Sequence, residues 1–437
     1  MTSITVLRRS LGANRAILTN TSSLLGTTAV TSLLGLVFWG VAPVYFSINA
    51  IGLAGASVAA MMLLGQVSML GLGTLLIGEF PRHRGQEASL VAVALITTTI
   101  TGGALGALFA VLAPHVLSGL QPLAESAVAV VIFALGVALT ASTFVLDQAL
   151  IGLLRGDLQF GRNTVLAVAK LLAVMVAGIV FRGAGGLAIY GAWAFGNIAS
   201  LLGLALLVVA RKQWPHSYRP RWTLLRGLGR SALGHHALNL VQQVPNTAFP
   251  LVVTAVLSVA MTGYFYYSWM IASFAFLGLT SLATVLYAVG ATDPVLFAKR
   301  MQLTLRLALV GGVAAAGIML VGANAIMMIL GHGNPAYVQY GAPSLRILEL
   351  GVFPLIIRTH YVAVCRVSGR LGQAATIIAV GGGLELIGAG LGAHIGALTG
   401  LSVGWVIVVS VEAAFMVRVV YRAAYRSERI ETGVSVS

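Results

Sequence analysis

Cysteine is almost missing from this sequence, and so is charge. Of 437 residues one is Cys, Cys365, which excludes an internal disulfide and any cysteine-rich metal site. Its plain reading is a small buried apolar residue. Asp, Glu, Lys and Arg make up 8% of the chain against 58% hydrophobic residues, too little polar material to clothe a water-soluble fold of this size. Acids are the scarcer sign, with 11 Asp and Glu to 26 Lys and Arg. Enzymatic motifs are missing as well. There is no Gly-rich loop ending in Lys-Ser/Thr and no His, Asp and Glu at metal spacing, so the chain is read as a non-enzyme without a cofactor. The glycines at Gly102–Gly103 and Gly381–Gly383 lie inside apolar runs and are read as packing positions.

What the chain does have is long apolar runs. They cover residues 20–46, 52–78, 89–113, 126–151, 164–181, 187–210, 231–259, 262–289, 303–329, 342–364, 374–393 and 395–420. Most hold the roughly 20 predominantly apolar residues needed to cross a hydrocarbon core of about 30 Å. The expected fold is therefore an all-α membrane protein with twelve transmembrane helices. Orientation follows from the bases: all but four of the 26 Lys and Arg fall in the ends and alternate connections that share one side. The exceptions are Lys170, Arg182, Arg346 and Arg358. The side rich in Lys and Arg is cytoplasmic, which puts both termini inside. Trp39 and Tyr45 close the first run, and Tyr264, Tyr266, Tyr267 and Trp269 open the eighth, where amphipathic rings meet headgroups. The net charge of +15 is then a topology signal with secondary attraction to anionic membrane lipid, and no nucleic-acid partner is expected. The first apolar run is too long for a signal peptide and lacks a convincing cleavage site, so it is read as a spanning helix.

The longest basic connection divides the chain into a first lobe of residues 1–210, a linker of 211–230 and a second lobe of 231–437. Trp214, Tyr218 and Trp222 interleave with the linker's charges, and Pro215 and Pro220 keep it from being one helix. The two lobes echo each other. Asn20, Ser23, Thr27 and Thr31 make a polar stripe on the first helix; His235, Asn239, Gln242 and Asn246 make a stronger one on the seventh, with His236 and Gln243 beside it. Asp147 precedes Arg155 by the eight residues that separate Arg358 from Arg366, and Arg162 or Arg370 follows. Two six-helix bundles related by a pseudo-two-fold axis along the membrane normal are expected.

Polar groups within a bilayer are unfavourable unless they face protein or water. The seventh-helix stripe is read as the wall of a wet cavity that binds a polar headgroup, with interhelical hydrogen bonding as the competing account. Pro245 within it is expected to kink the helix. The hydroxyls of the first helix can bond to their own backbone. Arg346 and Glu349, at i and i+3, are expected to pair. Arg358 has no acid on its own helix face; it either offers a guanidinium to a phosphate or snorkels to the inner boundary. Glu385, mid-helix among glycines, is a coupling candidate or a partner for an arginine. Asp147 is a weaker coupling candidate, more readily paired with Arg155. Lys170, Glu79, Glu125 and Glu412 are read as solvated helix ends.

Residues 35–55 (GLVFWGVAPVYFSINAIGLAG), 70–81 (LGLGTLLIGEFP), 147–163 (DQALIGLLRGDLQFGRN), the HHALNL and FYYSWMIAS segments of 231–288, and YVAVCRVSGR at the end of 346–370 together resemble the polysaccharide flippases of the multidrug/oligosaccharidyl-lipid/polysaccharide (MOP) exporter superfamily. The resemblance lies in their order and spacing across nearly the whole chain. It implies alternating-access flipping of an undecaprenyl-pyrophosphate-linked oligosaccharide across a bacterial plasma membrane, for cell-surface polysaccharide synthesis, with H+ or Na+ as a possible coupling ion. On that reading His235, His236, Asn239, Gln242, Arg358 and Arg346 are the headgroup candidates, chosen by polarity and depth. A drug/cation antiporter of the same superfamily is the alternative. It calls for a membrane carboxylate, which the first and seventh helices lack. A membrane-embedded glycosyltransferase or polymerase is more remote, because every outer loop is short.

Overall fold

A computed structural model describes residues 23, 26–181, 183, 185–211, 219–225, 229–290 and 294–425, and these are helical almost throughout. They pack as two compact units, Met1–Leu240 and Val241–Ser437. The first unit contains α1 (Gly26–Tyr45), α2 (Ile48–Ser68), α3 (Leu72–Glu79), α4 (Glu87–Val116), α5 (Ala127–Gly152), α6 (Gly156–Val180) and α7 (Gly186–Ala210). The boundary between units falls inside α8 (Gly229–Val256). The second unit continues with α9 (Val259–Gly290), α10 (Pro294–Leu330), α11 (Ala342–Leu350), α12 (Val352–Val367) and α13 (Leu371–Tyr425). Among the described residues eight helices are long and apolar enough to cross a membrane, or nine when the bent pair α11–α12 counts as one span. Large apolar side chains cover their outward faces, as a lipid solvent requires. This is a multi-pass membrane protein.

Several helix ends differ from the sequence expectation for local reasons. The run 52–78 is two helices, because Leu70 (φ 50°) and Gly71 (φ 76°) take left-handed conformations between α2 and α3. The runs 374–393 and 395–420 with their flanks form α13, and the division between them lies at a non-helical break at Gly396 and Ala397. Run 342–364 bends by 41° between α11 and α12. Pro354 has no N–H for the Leu350 carbonyl, and Gly351 accepts the Trp405 ring where a Cβ would overlap it. The fifth run is α6, which begins at Gly156 and not at residue 164, so Arg162 lies inside it rather than in a connection.

The turns echo each other in another register, matching Arg155 with Arg370, where the sequence spacing matches Arg155 with Arg366 and Arg162 with Arg370. After α5, Leu154 is left-handed and the Arg155 N–H reaches the Leu150 carbonyl at 2.8 Å. After α12, Gly369 is left-handed and the Arg370 N–H reaches the Cys365 carbonyl at 2.9 Å. Both are Schellman closures, which satisfy carbonyls orphaned at a helix end. Within a bilayer there is little hydrophobic drive between helices, so small residues decide close approach. Gly388 and Gly404, with Gly392 and Gly400, bring the two parts of α13 into backbone contact. On α1, the Thr27 and Thr31 hydroxyls donate to the Ser23 and Thr27 carbonyls, at 2.8 and 2.7 Å. That stripe satisfies itself; its first member, Asn20, and linker residues Trp214, Pro215 and Tyr218 lie outside the described residues. At the end of the linker, Ser89 at the start of α4 donates to the Arg219 carbonyl and accepts from the Arg221 N–H.

Candidate functional site

Leu355, Thr359, Val362, Ala363 and Arg366 recur at helical spacing, so they share one face of α12. With Arg358 they line a cavity of about 230 Å³ inside the second unit. The opposite walls are Gln242, Gln243 and Asn246 from α8, Phe276 from α9, and Ile378, Glu385 and Trp405 from α13. Prolines set the α8 wall. Pro250 has no N–H for the Asn246 carbonyl, and the Trp269 indole donates to it instead at 3.1 Å. Pro245 nests against Gly382, where a Cβ would approach the ring to 2.7 Å. The two substitutes hold a proline-interrupted helix firmly enough to present three amide side chains.

The charged wall is a trio. Arg358, 9% exposed, places Nη1 2.5 Å from Glu385 Oε1 and 3.8 Å from Glu412 Oε2. The Trp405 indole donates to the other Glu385 oxygen at 2.8 Å. Glu385 and Glu412 come from the two sides of the α13 break, so the helical hairpin is what joins them. Gly381 lies against the Glu412 carboxylate, and any Cβ there would displace it. Neither Glu412 oxygen has a hydrogen-bond partner among the described residues. A buried pair is favourable only when its geometry and hydrogen bonds offset desolvation. The Glu385 side meets that condition and the Glu412 side does not.

These positions revise the expectations for single residues. Arg358 does not snorkel and is not free of acids; its partners come from α13, beyond its own helix face. Glu412 is buried mid-helix rather than solvated at an end, and so is Lys170 in α6. Glu79 does end α3, but it is buried and paired with Arg82 at 2.6 Å. Arg346 does not pair with Glu349. It donates to the Leu320 carbonyl and the Asn324 side chain of α10, both at 3.0 Å, and does not line the cavity. Glu349 points the other way into the unit's interior, with neither carboxylate oxygen hydrogen-bonded among the described residues. Replacing Glu349 with Met should raise the thermal midpoint by a few degrees, about 1 kcal/mol or more. A lower midpoint would mean that the carboxylate has a partner in the membrane.

Asp147 pairs with Arg162, not Arg155. Arg162 Nη2 contacts both Asp147 oxygens at 2.7 Å, and Asn163 Nδ2 adds a bond at 3.1 Å. Arg155 turns instead to Asp157 at 3.4 Å. His236 sits against the Val67 carbonyl at 3.2 Å within the first unit and is not part of the cavity wall. The side chains of His235 and Asn239 lie outside the described residues. The cavity thus unites Gln242, Arg358 and Glu385 from the sequence candidates. It adds Arg366, Trp405 and, through the trio, Glu412. Glu412 stood in plain view as the one acid of an apolar run, seven residues after Trp405 and on the same face.

No protein-family model matches the chain, and no curated protein sequence is significantly similar to it. Solved structures are similar. An inward-facing multidrug resistance MATE family transporter of the MOP superfamily aligns with TM-score 0.71 at 13% identity, over 93% of this chain and 96% of that one. An outward-facing structure of such a transporter aligns at 0.63 and 14%, over 95% and 96%. A MOP superfamily transporter from Pyrococcus furiosus Vc1, described by the reversed polarity of its binding pocket, aligns at 0.60 and 14%, over 93% and 96%. At such identities the likeness is one of fold: along nearly its whole length this chain has the fold of MATE transporters.

Proposed function

We propose that the protein is a proton-coupled antiporter working by alternating access, with Glu385, Arg358 and Glu412 as its coupling group and the adjoining amide-lined cavity as part of the path of an amphipathic organic solute. The observation that carries this reading is a pair of buried carboxylates sharing one guanidinium at the wall of a polar cavity. The fold supports the transport cycle, since its neighbours include inward-facing and outward-facing transporter structures. The antiporter alternative lacked a carboxylate in the first and seventh helices; α13 supplies two.

With a proton on Glu412, Arg358 is balanced by Glu385 alone and the trio is neutral. Without it the trio carries one excess negative charge, which a low dielectric disfavours unless water enters. A proton therefore biases two states of the lobe, which is what coupling requires. A metal cation fits less well, because the guanidinium already stands 3.8 Å from Glu412. We place the chain as twelve spans with both termini cytoplasmic, from the distribution of Lys and Arg.

Flipping of a lipid-linked oligosaccharide across a bacterial plasma membrane is the second reading. Arg358 and Arg366 on the cavity wall favour it, since guanidinium groups suit phosphate and amides suit sugar hydroxyls. The neighbour described by reversed pocket polarity has this fold too.

Proteoliposomes containing an internal pH dye decide between the readings. Adding ethidium (an organic cation) or octyl phosphate (an organic anion) should drive proton flux through the wild type, reduced at least tenfold in Glu412→Gln. Equal flux in variant and wild type overturns the coupling assignment. No flux with either solute, combined with transfer of a lipid-linked oligosaccharide, replaces the antiporter by the flippase.

A further inference from the structure

Lys170 is the largest unexplained charge in the first unit. It lies mid-way along α6, 6% exposed, with its stem against Gly196 of α7. Its Nζ stands 3.7 Å from the centre of the Trp193 ring and 5.4 Å from that of Phe38. Trp39 completes the corner, edge-on to Phe38 at 5.3 Å and tilted to Trp193 at 6.4 Å. Among the described residues no carboxylate pairs with this ammonium and no oxygen accepts from it.

Lysine is almost never buried without a partner. The aromatic faces offset only part of the cost of burying an unpaired ammonium. The rings also leave the ammonium's three N–H donors without an oxygen acceptor among the described residues. Arg162 and Asp147, the neighbouring charges of the same unit, are occupied with each other. Both the missing charge and the missing acceptors are supplied by one kind of group, an oxyanion.

We propose that Lys170, with Trp193 and Phe38, forms an oxyanion-binding site in the first unit, for a phosphate or carboxylate on an amphipathic ligand. The ammonium supplies the charge and donors, and the rings hold it in place and pack against the ligand's apolar part. Trp193 is then both a contact and a reporter. The site makes no use of the coupling trio, so it stands whether or not the antiporter reading does.

The test is a fluorescence titration of the purified full-length protein in nanodiscs. Octyl phosphate should change the emission saturably, the change should be lost in Trp193→Phe, and octyltrimethylammonium should not reproduce it. Lys170→Met, which keeps the stem's bulk, should weaken octyl phosphate at least tenfold. Inorganic phosphate as titrant separates the sources: competition at millimolar concentration indicates a site for the free anion, and its failure indicates a chain-bearing ligand such as a lipid phosphate. Equal responses to the anionic and cationic amphiphiles, or unchanged affinity in Lys170→Met, overturn the site. Should Lys170→Met not fold, the wild-type comparison alone decides, and no preference for octyl phosphate sinks the proposal.

Discussion

Replacing Arg358 with Met should lower stability by about 3–5 kcal/mol and, on the proposed reading, abolish transport. Removing one partner of a buried ion pair leaves an uncompensated charge, and that penalty exceeds the net worth of the pair. Here the penalty is doubled in kind. Glu385 keeps one hydrogen bond, from Trp405, but Glu412 loses the guanidinium at 3.8 Å and has no hydrogen bond among the described residues. The protein can respond by taking up protons or by opening the α13 hairpin to water, and either destroys the coupling states. Combining Arg358→Met with Glu385→Gln and Glu412→Gln should recover most of the thermal midpoint while transport stays absent. The pair of outcomes separates a structural loss from a functional one. A single variant that melts like the wild type and still transports would show that the trio is incidental.

The second large effect lies in the first unit. Asp147→Ala strands Arg162, whose side chain is 1% exposed, and should also lose about 3–5 kcal/mol. Asn163 and Ser200 remain as acceptors at 3.0 and 3.4 Å, but they carry no charge. Asp147→Leu with Arg162→Met removes both charges together and should come within about 1–2 kcal/mol of the wild type. Thermal denaturation of the two variants in the same detergent measures the difference. Transport should survive in the double variant, because this pair is read as the fastening of α5 to α6. If instead the double variant folds well and fails to transport, Asp147 regains its place as a coupling group.

The two pairs are mirror images in sign. The acid stands on α5 and the base on α6 in the first unit; the base stands on α12 and the acid on α13 in the second. The repeat of Asp147–Arg155 and Arg358–Arg366 spacing is visible in the sequence, but the turns match Arg155 with Arg370 instead of Arg366. Of the partners, Glu385 is legible as one for an arginine, though not for which; Arg162 for Asp147 and Glu412 for Arg358 are not. Sequence periodicity reports which residues share a helix face, and it puts Gln242 and Asn246 on one. It cannot report which faces of different helices meet. Arg358 therefore looked unpaired, and Glu349 looked like the natural partner of Arg346. Glu412 and Lys170 read as helix ends because a charge in an apolar run is most simply placed at its boundary. The structure's longer helices put both in the interior. The break at Leu70–Gly71 is illegible for a related reason: the hydrophobic pattern continues through it while the backbone turns. The break at Gly396–Ala397 lies within a few residues of the gap between the runs 374–393 and 395–420.

The central claim is that the amide wall, Arg358 and Glu385 enclose a water-accessible path rather than a dry seam. Thiol accessibility tests it most directly, because the lone native cysteine, Cys365, is buried and can be replaced by Ser. Asn246→Cys and Thr359→Cys in that background should react with a membrane-impermeant thiol reagent from one side of the membrane, and octyl phosphate or an imposed proton gradient should change the rate several-fold. Ala308→Cys, buried among Val352 and Ile356, should stay unreactive. If the two cavity positions are as inert as Ala308→Cys under every gradient, there is no aqueous path beside the trio and the transport reading of this site is wrong.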